Sequence, residues 1–583
     1  MKGLFLAVVL VFFSLPLMGQ GLIERVTSNS LRSKANDSWT ERTRTWLAWK
    51  KVDKRIVQAE LFRYGSNNYH QDVPSEQKKV ELYLNTEWVE RIQTSRPQYI
   101  ELKIPVNTES SFVMQLKRTE LTTSDFVAHT SSGDTLPVKS NDLITYRGVL
   151  EGYGSALAAL TIFRGEVHLF MVDGVGEYAI ERGETNTAGT YYLRNQKKIH
   201  PERKVKTCGI PDRRLAQRVS GSTPHKFSSA SCGNHLPATI FVETDYQLFQ
   251  DQGSNTGKVT NYVANLMNNA ALVFQNEAVE IQMSELLIWN TPDPYQSFST
   301  IVDVHAEFRG RYGGSFGDFN GNFRHLLTSR SFNDFGGYGQ IGFQIFVASE
   351  NRFYCGKAYS VSASLSFNVQ APPNWSYDVN IFAHETGHNF GLEHTHACVW
   401  GINQDQVLDN CAPAEDWDDD GNPDCPPTNN PIAPTIMSYC NANTIANGFG
   451  SEPGDSLRSF YLRAPCLSPC NLPESFSTQH ISYTSAQLTW AAVSGAQQYT
   501  VEWRRYYNSG SIQSEVTANP FLDITGLDPG TTYQWRVTTD CGGCVSAWSD
   551  YQEFQTPLGV NLDIYSPTVS VNPIMQGQSA IAG

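Results

Sequence analysis

Between His384 and His394 the chain reads HETGHNFGLEH, residues whose types and spacing suit one metal ion and one proton transfer. On an α-helix His384 and His388 lie one turn apart on the same face, so both imidazoles can reach a common ion while Glu385 sits beside it. Gly391 can take the positive φ that most residues avoid, which ends the helix and lets His394 return to the same ion. Three neutral nitrogens leave a fourth position for water, the pattern of a catalytic rather than a structural zinc. The expected chemistry is hydrolysis by a metal-activated water, with Glu385 taking the water's proton and passing it to the leaving group.

The string resembles the metzincin zinc-protease pattern HExxHxxGxxH at every fixed position. That resemblance implies a methionine turn beneath the metal, and Met437, in TIMSYC, stands downstream of the third histidine. The turn continues to Tyr439, similar to the astacin and serralysin turns, which implies a hydrogen bond from this tyrosine to the oxyanion. HLLT and GKAYS, upstream of the zinc string, resemble the reprolysin (adamalysin, ADAM-like) catalytic domain. Reprolysins usually carry Asp after the third histidine, whereas this chain has Thr395. His396, His305 and His325 are read as structural histidines.

Cys208 lies in KTCGIPD, which resembles the cysteine switch PRCGxPD of matrix metalloprotease propeptides, with Lys206 and Thr207 where that pattern has Pro and Arg. The resemblance implies that the Cys208 thiolate fills the open zinc position in a latent form. The other reading pairs Cys208 with Cys232 in an ordinary disulfide. Arg203, Lys204, Arg213, Arg214 and Arg218 flank the motif as a basic segment that a trypsin-like activating protease could cut.

The segments that must position these groups are legible from periodicity. ATIFVE, VEIQMSELLIW, RHLLTS and IGFQIFVAS read as strands, and Val259, Tyr262, Val263, Leu266, Ala270, Val273 and Phe274 recur at helical spacing. A second helix is expected from about Ser299 to Arg309, and Ser376 or Asp378 is the natural cap of the helix that carries His384. Strands alternating with helices imply an α/β sheet. Substrate is expected along the sheet edge near Gly356 to Ser360.

The chain has 583 residues, too many for one core, and opens with Lys2 before an apolar run that reads as a secretory signal peptide over 1–20. Residues 21–218 are expected to form a β-rich, sandwich-like propeptide, part of which resembles reprolysin propeptides. The metzincin catalytic domain then spans 236–468. At 471–557, Trp490, YTVEWRRYY and the Leu527, Pro529, Gly530, Tyr533 stretch resemble a fibronectin type III β-sandwich. The tail, 558–583, faintly resembles the opening of a type IX C-terminal sorting domain. Its early stop suggests a fragment. A net charge of −14 argues against nucleic acid as a partner, and no later segment has the length for stable membrane insertion.

Eleven cysteines in an exported chain should mostly pair. Cys398, Cys411, Cys425 and Cys440 surround a long polar loop that disulfides would tie, and Cys541 with Cys544 could bridge locally. Within that loop Asp416, Asp418, Asp420 and Asp424 around Gly421 resemble the start of a Ca2+ site, although Pro427 stands where its bidentate Glu belongs. A solvated acidic loop is the other reading. The function expected is a secreted zinc endopeptidase acting on protein or peptide substrates and made as a latent zymogen. The alternatives are an adhesin or matrix-binding protein with a vestigial metal domain, and a zinc hydrolase for non-peptide bonds.

Overall fold

The computed structural model describes residues 56–558 apart from 66–78, 139–141, 152–155, 174–175, 184–188, 197–206, 210–234, 315–316, 318, 343, 348–351, 367–374, 402–404, 415–422, 441–443, 468–469, 471, 494, 507–511, 543–544, 547 and 550. The signal peptide, the basic residues flanking Cys208, the 559–583 tail and Asp416, Asp418 and Asp420 therefore lie outside the described residues. The described residues fall into two compact units, one formed by those from 56 to 209 with those from 235 to 467, the other by those from 470 onward.

The N-terminal region contains one ten-stranded sheet, nearly all antiparallel. Its ends approach each other, the strand Phe62–Tyr64 lying against Tyr99–Pro105, so a single curled sheet replaces the expected sandwich. Alternate residues such as Ile100, Leu102 and Ile104 point inward with Leu116, Tyr146, Leu160 and Leu169 to form its core, and the helix Thr86–Ser95 adds Val89 and Ile92.

The second sheet has seven strands, in the order Gly337–Gly339, Ala358–Ser362, Phe323–Leu327, Ala238–Thr244, Ile281–Ile288, Thr122–Thr130 and Thr135–Leu136. The neighbouring pairs from Ala358–Ser362 through to Thr122–Thr130 are parallel, while the edge strand Gly337–Gly339 runs antiparallel. The expected strands at 238, 281 and 323 are all here. Gln344–Val347 instead pairs only with Arg352–Cys355 in a separate hairpin. Thr122–Thr130 comes from the N-terminal region and was not anticipated as part of this sheet.

The long helix Thr256–Asn276 starts at Asn255, whose side chain accepts from the Lys258 amide at 3.0 Å. It is buried nearly all round because it packs on the strand Ile281–Ile288, on the helix Trp375–Phe390 and on the N-terminal strands Leu143–Leu150 and Leu157–Phe163. The helix expected near 299 runs from Ile301 to Arg311, capped by Thr300. Four disulfides are present among the described residues: Cys355–Cys466, Cys398–Cys425, Cys411–Cys440 and Cys470–Cys541. The two around the long polar loop each close fewer than 30 residues, and such loops gain about 3 kcal/mol from closure. The expected Cys541–Cys544 bridge is corrected: Cys541 reaches back to Cys470, which fixes the entry of its module rather than a surface loop.

The C-terminal unit packs a three-stranded sheet against a four-stranded one around Trp490, Leu522, Ile524, Tyr533 and Trp535. The Tyr533 hydroxyl accepts from the Asp528 amide at 2.9 Å, a corner typical of this sandwich. Among the described residues no helix is long and apolar enough to cross a membrane.

Candidate metal and catalytic site

The helix Trp375–Phe390 carries His384, Glu385 and His388 into the core. It begins a residue or more before both expected caps. Asp378, one turn in, instead accepts from the Tyr262 hydroxyl at 2.8 Å and from the amide and hydroxyl of Ser366, both at 3.0 Å, so it ties the helix to its neighbours. Gly391 has φ +109° and ends the helix as expected, its amide donating to the His388 carbonyl at 2.8 Å. A Cβ at Gly391 would also press on the Phe460 ring.

The turn carries His394 back. His388 Nε2 lies 3.1 Å from His384 Nε2 and 3.1 Å from His394 Nε2. Nδ1 of His384 donates to the Ile436 carbonyl and Nδ1 of His388 to the Leu392 carbonyl, both at 2.7 Å, which leaves Nε2 of each ring as an acceptor. Acceptor nitrogens facing one another this closely repel unless a cation lies among them, so the donor set fits a divalent ion such as zinc.

Cys208 is the fourth member of this group. Its Sγ and the three imidazole ligand atoms all lie within 4.8 Å of one another, and all four residues are buried. The Cys208 thiol also donates to Glu385 Oε2 at 3.3 Å. Cys208 forms no disulfide, which corrects the alternative pairing with Cys232. Burial pushes the Glu385 carboxyl well above the usual carboxylate range, and the Cys208 hydrogen bond opposes that rise.

Backbone pairing delivers the thiol. Cys208 bridges Gly337 in parallel, the Gly209 amide donates to the Gly337 carbonyl at 3.0 Å, and the Gly336 amide donates to the Thr207 carbonyl at 2.9 Å. Gly337–Gly339 is thus the sheet edge beside the site, and the expected edge near Gly356 to Ser360 is corrected, because Ala358–Ser362 lies one strand inward. Both ends of the strand Gly337–Gly339 are glycine, and each faces Glu385. A Cβ at Gly337 would collide with the Glu385 carboxylate, and one at Gly339 would lie 2.7 Å from the Glu385 carbonyl oxygen. Asn389 fixes the helix to this edge, donating to the Gln340 and Tyr359 carbonyls at 3.0 and 3.1 Å and accepting from the Ser360 hydroxyl at 2.9 Å.

Met437 is fully buried, and its Sδ lies 2.8 Å from where a Cβ on Gly387, in the helix that carries His384 and His388, would be. Tyr439 stands with its ring 4.6 Å from that of His394 and donates its hydroxyl to the Cys208 carbonyl at 2.8 Å. His396 is buried and stacks on His394 at 5.1 Å. His305 and His325 are also buried, bonded to the Tyr359 carbonyl and to the Ser362 hydroxyl, and burial lowers their pKa to about 4 and about 3.

Asp409 escaped the sequence reading. Its Oδ2 accepts from the hydroxyls of Thr395 and Ser438, both at 2.5 Å, and its Oδ1 accepts from the Cys411 amide at 3.0 Å. A buried carboxylate from the disulfide-tied loop therefore joins the residue after the third histidine to the methionine turn, in a chain where that residue is Thr. Of the acidic set read as a calcium loop, only Asp424 is among the described residues, and it is exposed.

Residues 237–448 match the family model described as metallo-peptidase family M12. This body is a family M12 metallo-peptidase domain. The family implies a metal, typically zinc, which the donor set of the metallo-peptidase domain suits. Residues 471–555 match the fibronectin type III model, and that module follows the metallo-peptidase domain. Solved structures similar to part of the chain include the fn3 domain of human collagen alpha-1(XX) chain, 22% identical over 16% of this chain and 90% of that one with a TM-score of 0.15. The fn3 domain of human contactin 1 is 15% identical over 16% of this chain and 84% of that one, with a TM-score of 0.16.

Proposed function

We propose that the protein is an exported zinc endopeptidase held latent by its own N-terminal region, with residues 21–218 as propeptide. The observation that carries this reading is the Cys208 thiol lying among His384, His388 and His394 and against Glu385. A zinc ion held by the three histidines would supply Lewis acidity and lower the pKa of a bound water toward neutrality. Glu385, buried behind the glycine edge, accepts a proton from the attacking water and returns it to the leaving amine.

In the latent chain the Cys208 thiol, within 4.8 Å of all three ligand nitrogens, would take the place that such a water needs and so deny the site its nucleophile. Once the 207–209 segment leaves, an extended peptide takes its place along Gly337–Gly339 by backbone pairing, which fits protein substrates of varied sequence. The Tyr439 hydroxyl, relieved of the Cys208 carbonyl, is then available to the oxyanion. A Glu at this place has no task in an adhesin with a spent metal domain, which favours the enzyme. The N-terminal apolar run and the four disulfides support export, and the basic residues around Cys208 suit an activating protease of trypsin-like preference.

The test is cleavage of casein or gelatin by the activated chain, with and without a chelator, beside Glu385→Gln. Cleavage should vanish with the chelator and fall roughly 100-fold or more in the variant. Chelator-resistant cleavage, or undiminished cleavage by the variant, overturns the reading.

A further inference from the structure

The arm Thr122–Thr130 and Thr135–Leu136 leaves the N-terminal sheet after Thr119 and rejoins it at Leu143, and between those points it belongs to the sheet of the metallo-peptidase domain. Glu285, Leu286, Leu287 and Ile288 pair in parallel with Val127, Ala128, His129 and Thr130. The Met283 amide donates to the Leu121 carbonyl at 2.8 Å and the Ser131 amide to the Ile288 carbonyl at 3.0 Å. Leu121 and Ala128 are buried in the catalytic core, His129 Nε2 meets Glu285 Oε1 at 2.6 Å, and Ser131 donates to Asn290 Oδ1 at 2.9 Å.

A second contact lies on the long helix. Arg147 donates to Asn268 Oδ1 at 2.9 Å and to Gln275 Oε1 at 3.1 Å, and Asn268 donates to the Leu160 carbonyl at 3.0 Å. Phe170, Val172 and Ala179 of the N-terminal sheet complete the same catalytic core, and the Trp375 indole donates to Glu181 at 3.1 Å. By contrast the described part of the switch, 207–209, meets the site over three residues, through backbone hydrogen bonds to Gly336 and Gly337, the thiol and the Tyr439 bond.

We infer that the N-terminal body, residues 56–196, stays on the metallo-peptidase domain as a second, non-covalent chain after the connecting segment is cut, because it adds a strand to the catalytic sheet and side chains to its core. Were it to leave, the backbone of Ile281–Ile288 would become an unpaired edge, a template for aggregation, and Leu121, Ala128, Phe170, Val172 and Ala179 would be lost from the shared core. The local attachment of the switch and the extensive attachment of the body are separable, so unlocking the site does not require losing the strand. The inference rests on reading the N-terminal region as a propeptide.

The test uses the full chain carrying Cys208→Ala and a site-specific protease sequence placed within 210–234. After cutting, the two polypeptides should elute together at the volume of the uncut chain, and the amides of 283–288 should keep their protection from hydrogen exchange. Ala128→Arg, which puts a charge into the shared core, should release the fragment on cutting. If that variant does not fold, the exchange measurement on the cut parent decides alone. Separate elution of the parent's fragments, or loss of protection at 283–288, overturns the inference. Casein cleavage is scored on the same sample: cleavage with separated pieces defeats this inference alone, and joined pieces without cleavage defeat the proposed activity alone.

Discussion

The Cys208 thiol donates to Glu385 Oε2 at 3.3 Å while standing among the three imidazoles, so one side chain masks both the metal position and the base. Cys208→Ala removes both of these blocks and leaves only the backbone pairing of 207–209 along Gly337–Gly339. The uncut variant should cleave casein at a rate well above the uncut parent, and equal silence of the two would overturn the proposed thiol switch.

Met437 and Gly387 form a matched pair, since a Cβ on Gly387 would lie 2.8 Å from the Met437 sulfur. Gly387→Ala should destabilise the metallo-peptidase domain by about 1–3 kcal/mol through overpacking. Met437→Ala, which leaves a cavity, should cost about 2–5 kcal/mol. The double variant should be more stable than the sum of the two losses implies, because the new methyl enters the space the thioether vacates. Strict additivity in urea midpoints would disprove the contact.

Asp409 ties Thr395, next to the third histidine, to Ser438, next to the methionine. Losing a hydrogen bond to a charged group costs about 1.5–3 kcal/mol, so Asp409→Ala should lower stability by at least that and loosen metal retention against a chelator. Unchanged metal retention would reduce Asp409 to a loop anchor.

His168 joins the N-terminal sheet to the long helix: Asn269 Nδ2 lies 3.1 Å from His168 Nε2, and the Trp375 ring lies 4.5 Å away. Burial lowers its pKa from 6.5 to about 3. The folded chain keeps this ring neutral while the unfolded chain binds a proton, so its stabilising contribution is complete above about pH 6.5 and declines as pH falls toward 3. His168→Gln should therefore show a smaller drop in melting temperature between pH 7 and pH 5 than the parent. A parallel drop in both would remove His168 as a source of acid sensitivity.

The histidine geometry was legible in the sequence because its spacing is local: a helical turn and one glycine decide it. The helices at 256–276 and 301–311 were legible for the same reason, as was the sandwich around Trp490. What escaped depends on residues far apart in the chain. Nothing in 119–138 distinguishes a strand of the N-terminal sheet from one paired with 281–288, and Asp409 gains its role only once the disulfide-tied loop folds over Ser438. The edge strand Gly337–Gly339 was missed because it is short and lacks β-branched residues; its glycines are required by the Glu385 side chain behind them. Cys470 and Cys541 stand 71 residues apart, a pairing that proximity in sequence could not suggest.

Elemental analysis of the purified full chain beside His388→Ala tests the centre of the account, since His388 Nε2 touches both other imidazoles. One tightly held zinc per parent chain, lost in the variant, is the predicted result. A parent without bound transition metal, or a variant that retains it as firmly, would contradict the account.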